Sequence, residues 1–482
     1  MKLLSLLKSL HPEEHRGFEK FLQSPYFKDS GQYLQFFRYL SKRYPAFDVD
    51  NAGMREAYRR CFQMKTLPTD VQLHNLTSGM SKQAEQFLVA QIVLDPEQAT
   101  GSLFDQLLVK ALGMRNQGAY FRKEADNLIG KISSQPALHA DDFFTIQQLY
   151  RLVYFNPDTP KTGNYSSCLE QSAVYLDLYY CTAKLRDAAE MKAREHILKA
   201  RYDIPLLDAV LQQSAVLNAT GAFPLLEMYS KVIDLYNSGV DEPGFRHLLA
   251  MYDTQFVTLS KEDRVLIIRH LINCGITLNA REDTVETELF SLYKRSIEAG
   301  SLLDGKRITN SSFVNIANLA SRCGDFDWAL HFIREFSVYL EKSKQEPVVQ
   351  LAKAGVFYNQ GLLDTAHECL LLKEIFLVPA FDLLARSLLI KIAFDRFILY
   401  NKDYEFLCNQ MNAFEKAVPN KDLTPEKKVA QLNWVKFLRK MSRARFELVS
   451  VPDGPKEALL KKLKALQPVV YKQWLEKRIG ML

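Results

Sequence analysis

His11 and His15 stand four residues apart with Glu13 and Glu14 between them, a spacing that puts both imidazoles on one helical face, as in a zinc protease. That chemistry needs a glutamate directly after the first histidine to act as general base, and Pro12 occupies the position, with no third ligand close by. A proline-started, acid-rich first turn accounts for the same residues. No GxGxxG, GxxxxGK[ST] or GxSxG string occurs, so the common dinucleotide, phosphate and hydrolase turns are missing. The other histidines are scattered and form no triad context. Seven cysteines stand singly at 61, 168, 181, 274, 323, 369 and 408. Their odd total and unpaired spacing point to free thiols in a reducing compartment, the cytoplasm, and away from a disulfide framework or a structural zinc site. No metal, cofactor or catalytic residue is therefore expected.

Charge offers a second kind of chemistry. From Lys421 to the end there are 15 Lys and Arg against 6 Asp and Glu, a surplus of +9 that leaves the preceding 420 residues at −3. On the helix expected from Pro425, Leu432, Val435, Leu438 and Met441 form a buried stripe, and Lys436, Arg439, Lys440 and Arg443 fall on another face. Such a face could neutralise nucleic-acid phosphates or an acidic partner. A solvated cap closing a stack of helices explains it more simply, because no aromatics interleave with the charges.

The elements that position these groups are helices. Of 482 residues, 47% are apolar and 24% charged, the balance of a soluble globular chain. Apolar residues recur at spacings of three and four almost throughout, with no strand-length alternation. Between Ser260 and Ala299, the stripes Val265, Ile268, Leu271, Ile272 and Val285, Leu289, Leu292, Ile297 read as two helices joined by a turn at Asn279–Asp283, started by a Ser260 cap with acids behind it. Pro224, Pro347 and Pro425 suit first turns. The stretch from Tyr165 to Lys199 lacks Pro and Gly and reads as one long helix. Breaks at Ser133–Leu138, Asn156–Asn164, Gly300–Ser312, Val418–Thr424 and Val451–Pro455 are short, which favours continuous helix-to-helix packing. Lys8, Glu13 and Glu14 interrupt the first Leu-rich stretch too early for a signal peptide, and Ala209–Leu226, the longest uncharged run, carries polar residues and Pro224, a poor membrane span. Aromatic groups such as Tyr33, Phe36, Phe37, Tyr39 and Tyr175, Tyr179, Tyr180 read as core.

Internal repetition sharpens the fold. Gly324-Asp325-Phe326-Asp327-Trp328-Ala329 resembles the inter-helix turn of a tetratricopeptide repeat, with Phe313, Ile316, Ala317, Ala329 and Ile333 at its packing positions. Small side chains there let paired helices approach, and large ones fill the groove beside them. A second copy follows 37 residues later at Gly361-Leu362-Leu363-Asp364-Thr365-Ala366, with Ala354, Phe357, Ala366 and Leu370 in register. A looser third lies 41 further on at Lys402-Asp403-Tyr404-Glu405-Phe406-Leu407, with Phe394, Ile398, Met411 and Pro419 matching but Asp395 where a small residue belongs. Both spacings exceed the usual ~34, so the solenoid is irregular. In this register Asn315, Asn318, Arg322, Tyr358, Asn359, Arg396 and Tyr400 face the concave surface, where amides, guanidiniums and phenols could grip an extended peptide.

The chain as a whole resembles a family of uncharacterised helical-repeat proteins of Bacteroidetes bacteria. The likeness rests on FEKFLQSPYF (18–27), DLYYCTAKLRDAAEM (177–191), GDFDWALHFI (324–333) and LQPVVYKQWLEK (466–477). It implies a tetratricopeptide-like superhelix and no catalytic residues. The sequence thus predicts an all-α protein: an N-terminal helical module over 1–135, a tetratricopeptide-like α-α superhelix over 136–420, and basic capping helices over 421–482. The expected function is a non-enzymatic scaffold binding a protein or peptide in the concave groove. The alternatives are a nucleic-acid-binding or ligand-responsive regulator using the basic helices, or an enzyme whose site is dispersed and motif-free.

Overall fold

The computed structural model describes residues 2–24, 30–43, 46–47, 49–94, 103–115, 117–198, 200–282, 284–300, 302–303, 307–378, 381–421, 423–447 and 454–482. Parts of the expected breaks at 300–312, 418–424 and 451–455, and of the run 18–27, lie outside them. The described residues form helices and no strand. The chain divides into two compact units, Met1–Ala183 and Lys184–Leu482.

In the first unit, α1 (Lys2–Ser9), α2 (Pro12–Leu22), α3 (Ser30–Ser41), α4 (Asn51–Cys61) and α5 (Asp70–Leu94) enclose one core, in which Leu3, Leu7, Phe18, Phe36, Phe37, Met54 and Met80 are buried. A second core lies among α6 (Leu103–Gly113), α7 (Gly118–Ser133), α8 (Ala140–Phe155) and the start of α9 (Cys168–Leu198), around Val109, Phe121, Leu128, Ile146 and Leu149. The long helix expected after Tyr165 is α9, 31 residues without a break.

The second unit takes up the rest of α9 and continues through α10 (Leu207–Leu217), α11 (Pro224–Ser238), α12 (Glu242–Gln255), α13 (Lys261–Glu282) and α14 (Glu286–Glu298). Ser260 caps α13 as its sequence suggests: its Oγ accepts the Asp263 N–H at 3.0 Å and donates to Asp263 Oδ2 at 2.7 Å. There follow α15 (Asn310–Arg322), α16 (Phe326–Phe336), α17 (Gln345–Asn359), α18 (Leu363–Cys369), α19 (Asp382–Tyr400) and α20 (Tyr404–Ala417). These six pack as successive hairpins, with α15 also lying along α17.

Most residues aligned as repeat packing positions are core: Phe313, Ile316, Ala317, Ala329, Ile333, Ala354, Ala366, Leu370, Phe394, Ile398 and Met411 are buried, whereas Phe357 is only partly buried and Pro419 is exposed. Gly324 and Gly361 each close a helix at φ +84°, a left-handed conformation that a side chain disfavours. The third copy reaches the same reversal with Asn401 (φ 54°) and Asp403 (φ 66°). Short 3-10 segments at Ser337–Tyr339, Lys342–Lys344 and Lys373–Leu377 lie between these hairpins. Finally α21 (Pro425–Glu447), α22 (Gly454–Ala465) and α23 (Lys472–Met481) share one core with α19 and α20, centred on the fully buried Trp434.

Candidate functional site

The hairpin helices place the seven expected groove residues in different surroundings. Asn315 is exposed, and Tyr400 is 60% exposed. Arg322 pairs with Glu286 of α14 at 2.5 Å. Asn318 and Asn359 belong to the seam between α15 and α17. Asn359 Nδ2 donates to Ser321 Oγ at 2.7 Å, and Asn318 lies so close to Gly355 that a Cβ there would stand 1.8 Å from its Oδ1. Arg396 bridges the turns that open α18 and α20 through Asp364 and Asp403.

Tyr358 leads to the densest polar arrangement on these helices. Its hydroxyl donates to Asp395 Oδ2 on α19 at 2.7 Å and accepts from Trp474 Nε1 at 2.6 Å and Arg478 Nη2 at 3.1 Å, both on α23. Arg478 closes a two-pronged bond on Asp395, Nε to Oδ1 at 2.8 Å and Nη2 to Oδ2 at 2.6 Å. Planar guanidinium and carboxylate match here, the strongest form such a pair takes. Asp395 is only 4% exposed, so its charge needs that partner. Burial, then the neighbouring Asp395 charge, pushes the Tyr358 phenol well above its ordinary value. The hydrogen bonds to Asp395 raise the Arg478 guanidinium further. Lys391 of α19 sits 3.6 Å above the Tyr471 ring centroid, and Trp474 packs on Phe394 with ring centroids 5.6 Å apart. The face of α17 and α19 thus holds a helix that presents Trp and Arg four residues apart.

The basic C-terminal region is partly engaged within the chain. Lys421 reaches Asp382 at 2.6 Å, Arg439 reaches Glu415 at 2.9 Å and Asn412 at 2.6 Å, and Arg478 reaches Asp395. Each acid precedes residue 421, so the charge imbalance read from the sequence is in part an intramolecular complement. Lys436, Lys440 and Arg443 are exposed and join no ion pair among the described residues.

Other titratable groups lie apart from this network. His11 opens α2, its N–H donating to Glu14 Oε2 at 2.7 Å. His15 stacks between Phe37 and Phe47, and burial lowers its pKa. His270 on α13 lies edge-on to Tyr236 of α11. Burial depresses its pKa to about 4 and pushes the Cys274 thiol up to about 12, which removes its nucleophilicity near neutrality. No group of His, Cys, Asp and Glu suited to a metal ion occurs among the described residues. No described helix is long and apolar enough to cross a membrane.

Asp395, Trp474 and Arg478 were not among the residues expected to form a site. The available signal was Asp395 itself, a carboxylate at a position that packing reserves for a small side chain. Comparisons with protein-family models, curated proteins and solved structures find no match.

Proposed function

We propose that the chain is a non-enzymatic, tetratricopeptide-like scaffold that binds a segment of another protein along the first helices of its repeats. The observation that carries this reading is the grip of α17 and α19 on α23: a buried carboxylate, a phenol and an aromatic wall take hold of an amphipathic helix through its Arg and Trp. An amphipathic helix laid into a groove is also a common way for one protein to hold a segment of another. Asn315 and Tyr400, exposed at either end of this helix row, are open for such contacts. The test is affinity purification from the native host, with and without nuclease, of the native chain and of Asn315→Lys and Tyr400→Glu. A stoichiometric, nuclease-resistant protein partner lost in either variant supports the reading, and one retained in both overturns it.

A second reading, nucleic-acid binding, is favoured by one feature: Lys436, Lys440 and Arg443 are exposed on a single helix without intramolecular ion pairs among the described residues. Its test is the salt dependence of binding.

A further inference from the structure

The first unit carries a cleft of about 430 Å³ between α6 and α8. Its floor is Phe121 and Gly113, and its walls include Met114, Leu152 and Phe155, which are 77%, 37% and 63% exposed. The apolar surface extends beyond the cleft. Leu103, Leu107, Lys110 and Met114 fall at i, i+4, i+7 and i+11 on one face of α6 and its last turn, and Leu103 and Leu107 are each nearly half exposed. On α8, Gln148, Arg151, Leu152 and Phe155 share the facing stripe, and Gln106 Nε2 ties the two helices together by donating to Thr145 Oγ1 at 3.3 Å.

Among the described residues, the charges that line the cleft itself have one sign. Lys110 and Arg151 line it, and no carboxylate does among the described residues. Neither cation is in an ion pair there. Arg151 lies over the Phe155 ring, 5.9 Å from its centroid, while Asp105 of α6 is neutralised by Lys131 of α7 at 3.1 Å. Two exposed cations flanking a trough of aliphatic and aromatic side chains complement a ligand that is apolar on one face and acidic on its borders. The row from Leu103 to Met114 spans about three helical turns. That length and the open sides of the trough suit a helix laid along it, whereas a small molecule is normally enclosed.

We infer that the α6/α8 groove is a docking site for an acidic amphipathic helix of a partner protein, with Lys110 and Arg151 pairing its flanking carboxylates. This site is separate from the repeat face described above and does not depend on it.

The probes are two fluorescein-labelled synthetic helices of about four turns with the same Leu and Phe face, one flanked by Glu and the other by Lys. Binding to the full chain is followed by anisotropy. The Glu-flanked helix is expected to bind roughly tenfold more tightly than its Lys-flanked counterpart, with a preference that shrinks as salt rises. The charge-reversed chain Lys110→Glu/Arg151→Glu should prefer the Lys-flanked helix, a reversal that loss of folding cannot produce. Met114→Glu should weaken both. Absence of binding, equal binding of the two helices, or a preference unchanged in the charge-reversed chain overturns the proposal. So does concentration-dependent self-association abolished by Met114→Glu, which assigns the groove to a second copy of this chain. Phosphatidylserine vesicles competing through the same residues would assign it to a lipid surface and overturn the proposal equally.

Discussion

Arg478, on the last helix, makes both of its carboxylate bonds to Asp395, 83 residues earlier in the chain. One partner is almost wholly buried and the other largely so. Removing either leaves a charge where water cannot fully solvate it. Asp395→Ala should therefore lower the stability of the second unit by about 2–3 kcal/mol, at the lower end for a buried pair because Arg478 keeps some solvent contact. The double replacement Asp395→Leu/Arg478→Met should cost clearly less than the two single changes added together. All three tryptophans, Trp328, Trp434 and Trp474, belong to this unit, so fluorescence-detected urea unfolding reads it selectively. Strictly additive costs would mean that the pair does not act as a unit.

Gly355 and Asn318 make a steric prediction. A Cβ on residue 355 would stand 1.8 Å from Asn318 Oδ1 and 2.8 Å from its Cγ, so Gly355→Ala must push the amide aside or separate α15 from α17. The expected loss is about 1–3 kcal/mol by the same fluorescence assay. Adding Asn318→Ala should recover most of it. A Gly355→Ala chain as stable as the native one would show that the seam yields freely.

What could be read in advance, and what could not, divides by distance along the chain. The Gly324 and Gly361 turns, the small residues Ala317, Ala329, Ala354 and Ala366, the Ser260 cap and the length of α9 are set by neighbours within a few turns. The local pattern expresses them directly. Asn318 was expected to face the groove. What turns it into the α15/α17 seam is the missing side chain of Gly355 on the next first helix, which no period reveals. Tyr358 depends on Trp474 and Arg478, 116 and 120 residues away. Its place in the register suggested an open surface, and only the return of α23 onto α17 and α19 makes it part of a network. The misfit of Asp395 with the repeat pattern marked the spot without naming the partner.

His270 makes stability depend on pH. Its folded-state pKa is lowered from 6.5 to about 4 by burial, so between those values the unfolded chain binds more protons. Stability is full above pH 6.5, falls as the pH drops toward 4, and stops changing on this account below 4. The loss reaches about 3 kcal/mol across the window. His270→Leu should flatten most of the slope and leave a smaller one from His367 and His15, whose pKa values burial also lowers. Urea midpoints at several pH values between 7 and 4 provide the comparison. A slope as steep in His270→Leu as in the native chain would place the titration elsewhere.

Among Lys436, Arg439, Lys440 and Arg443 of α21, one cation is bonded within the chain and three are exposed. Arg439 is bonded to Glu415 and Asn412, and it ties α21 to α20. Lys436, Lys440 and Arg443 extend from the same helix without ion pairs among the described residues. Arg439→Ala should lower stability modestly, by about 0.5–1 kcal/mol, read as a lower urea midpoint, since the pair keeps some solvent contact. The triple change Lys436→Ala/Lys440→Ala/Arg443→Ala should leave the midpoint where it is, because it removes charge and no packing. The same triple variant tests the second functional reading. A chain that used this face on nucleic acid would show log affinity falling linearly with log salt, and would lose about three units of that slope, close to one per cation removed. A slope unchanged by the triple variant, or no binding at moderate salt, leaves these cations as the solvated outer face of a helix whose other side is locked into the core by Trp434, Val435, Leu438 and Met441.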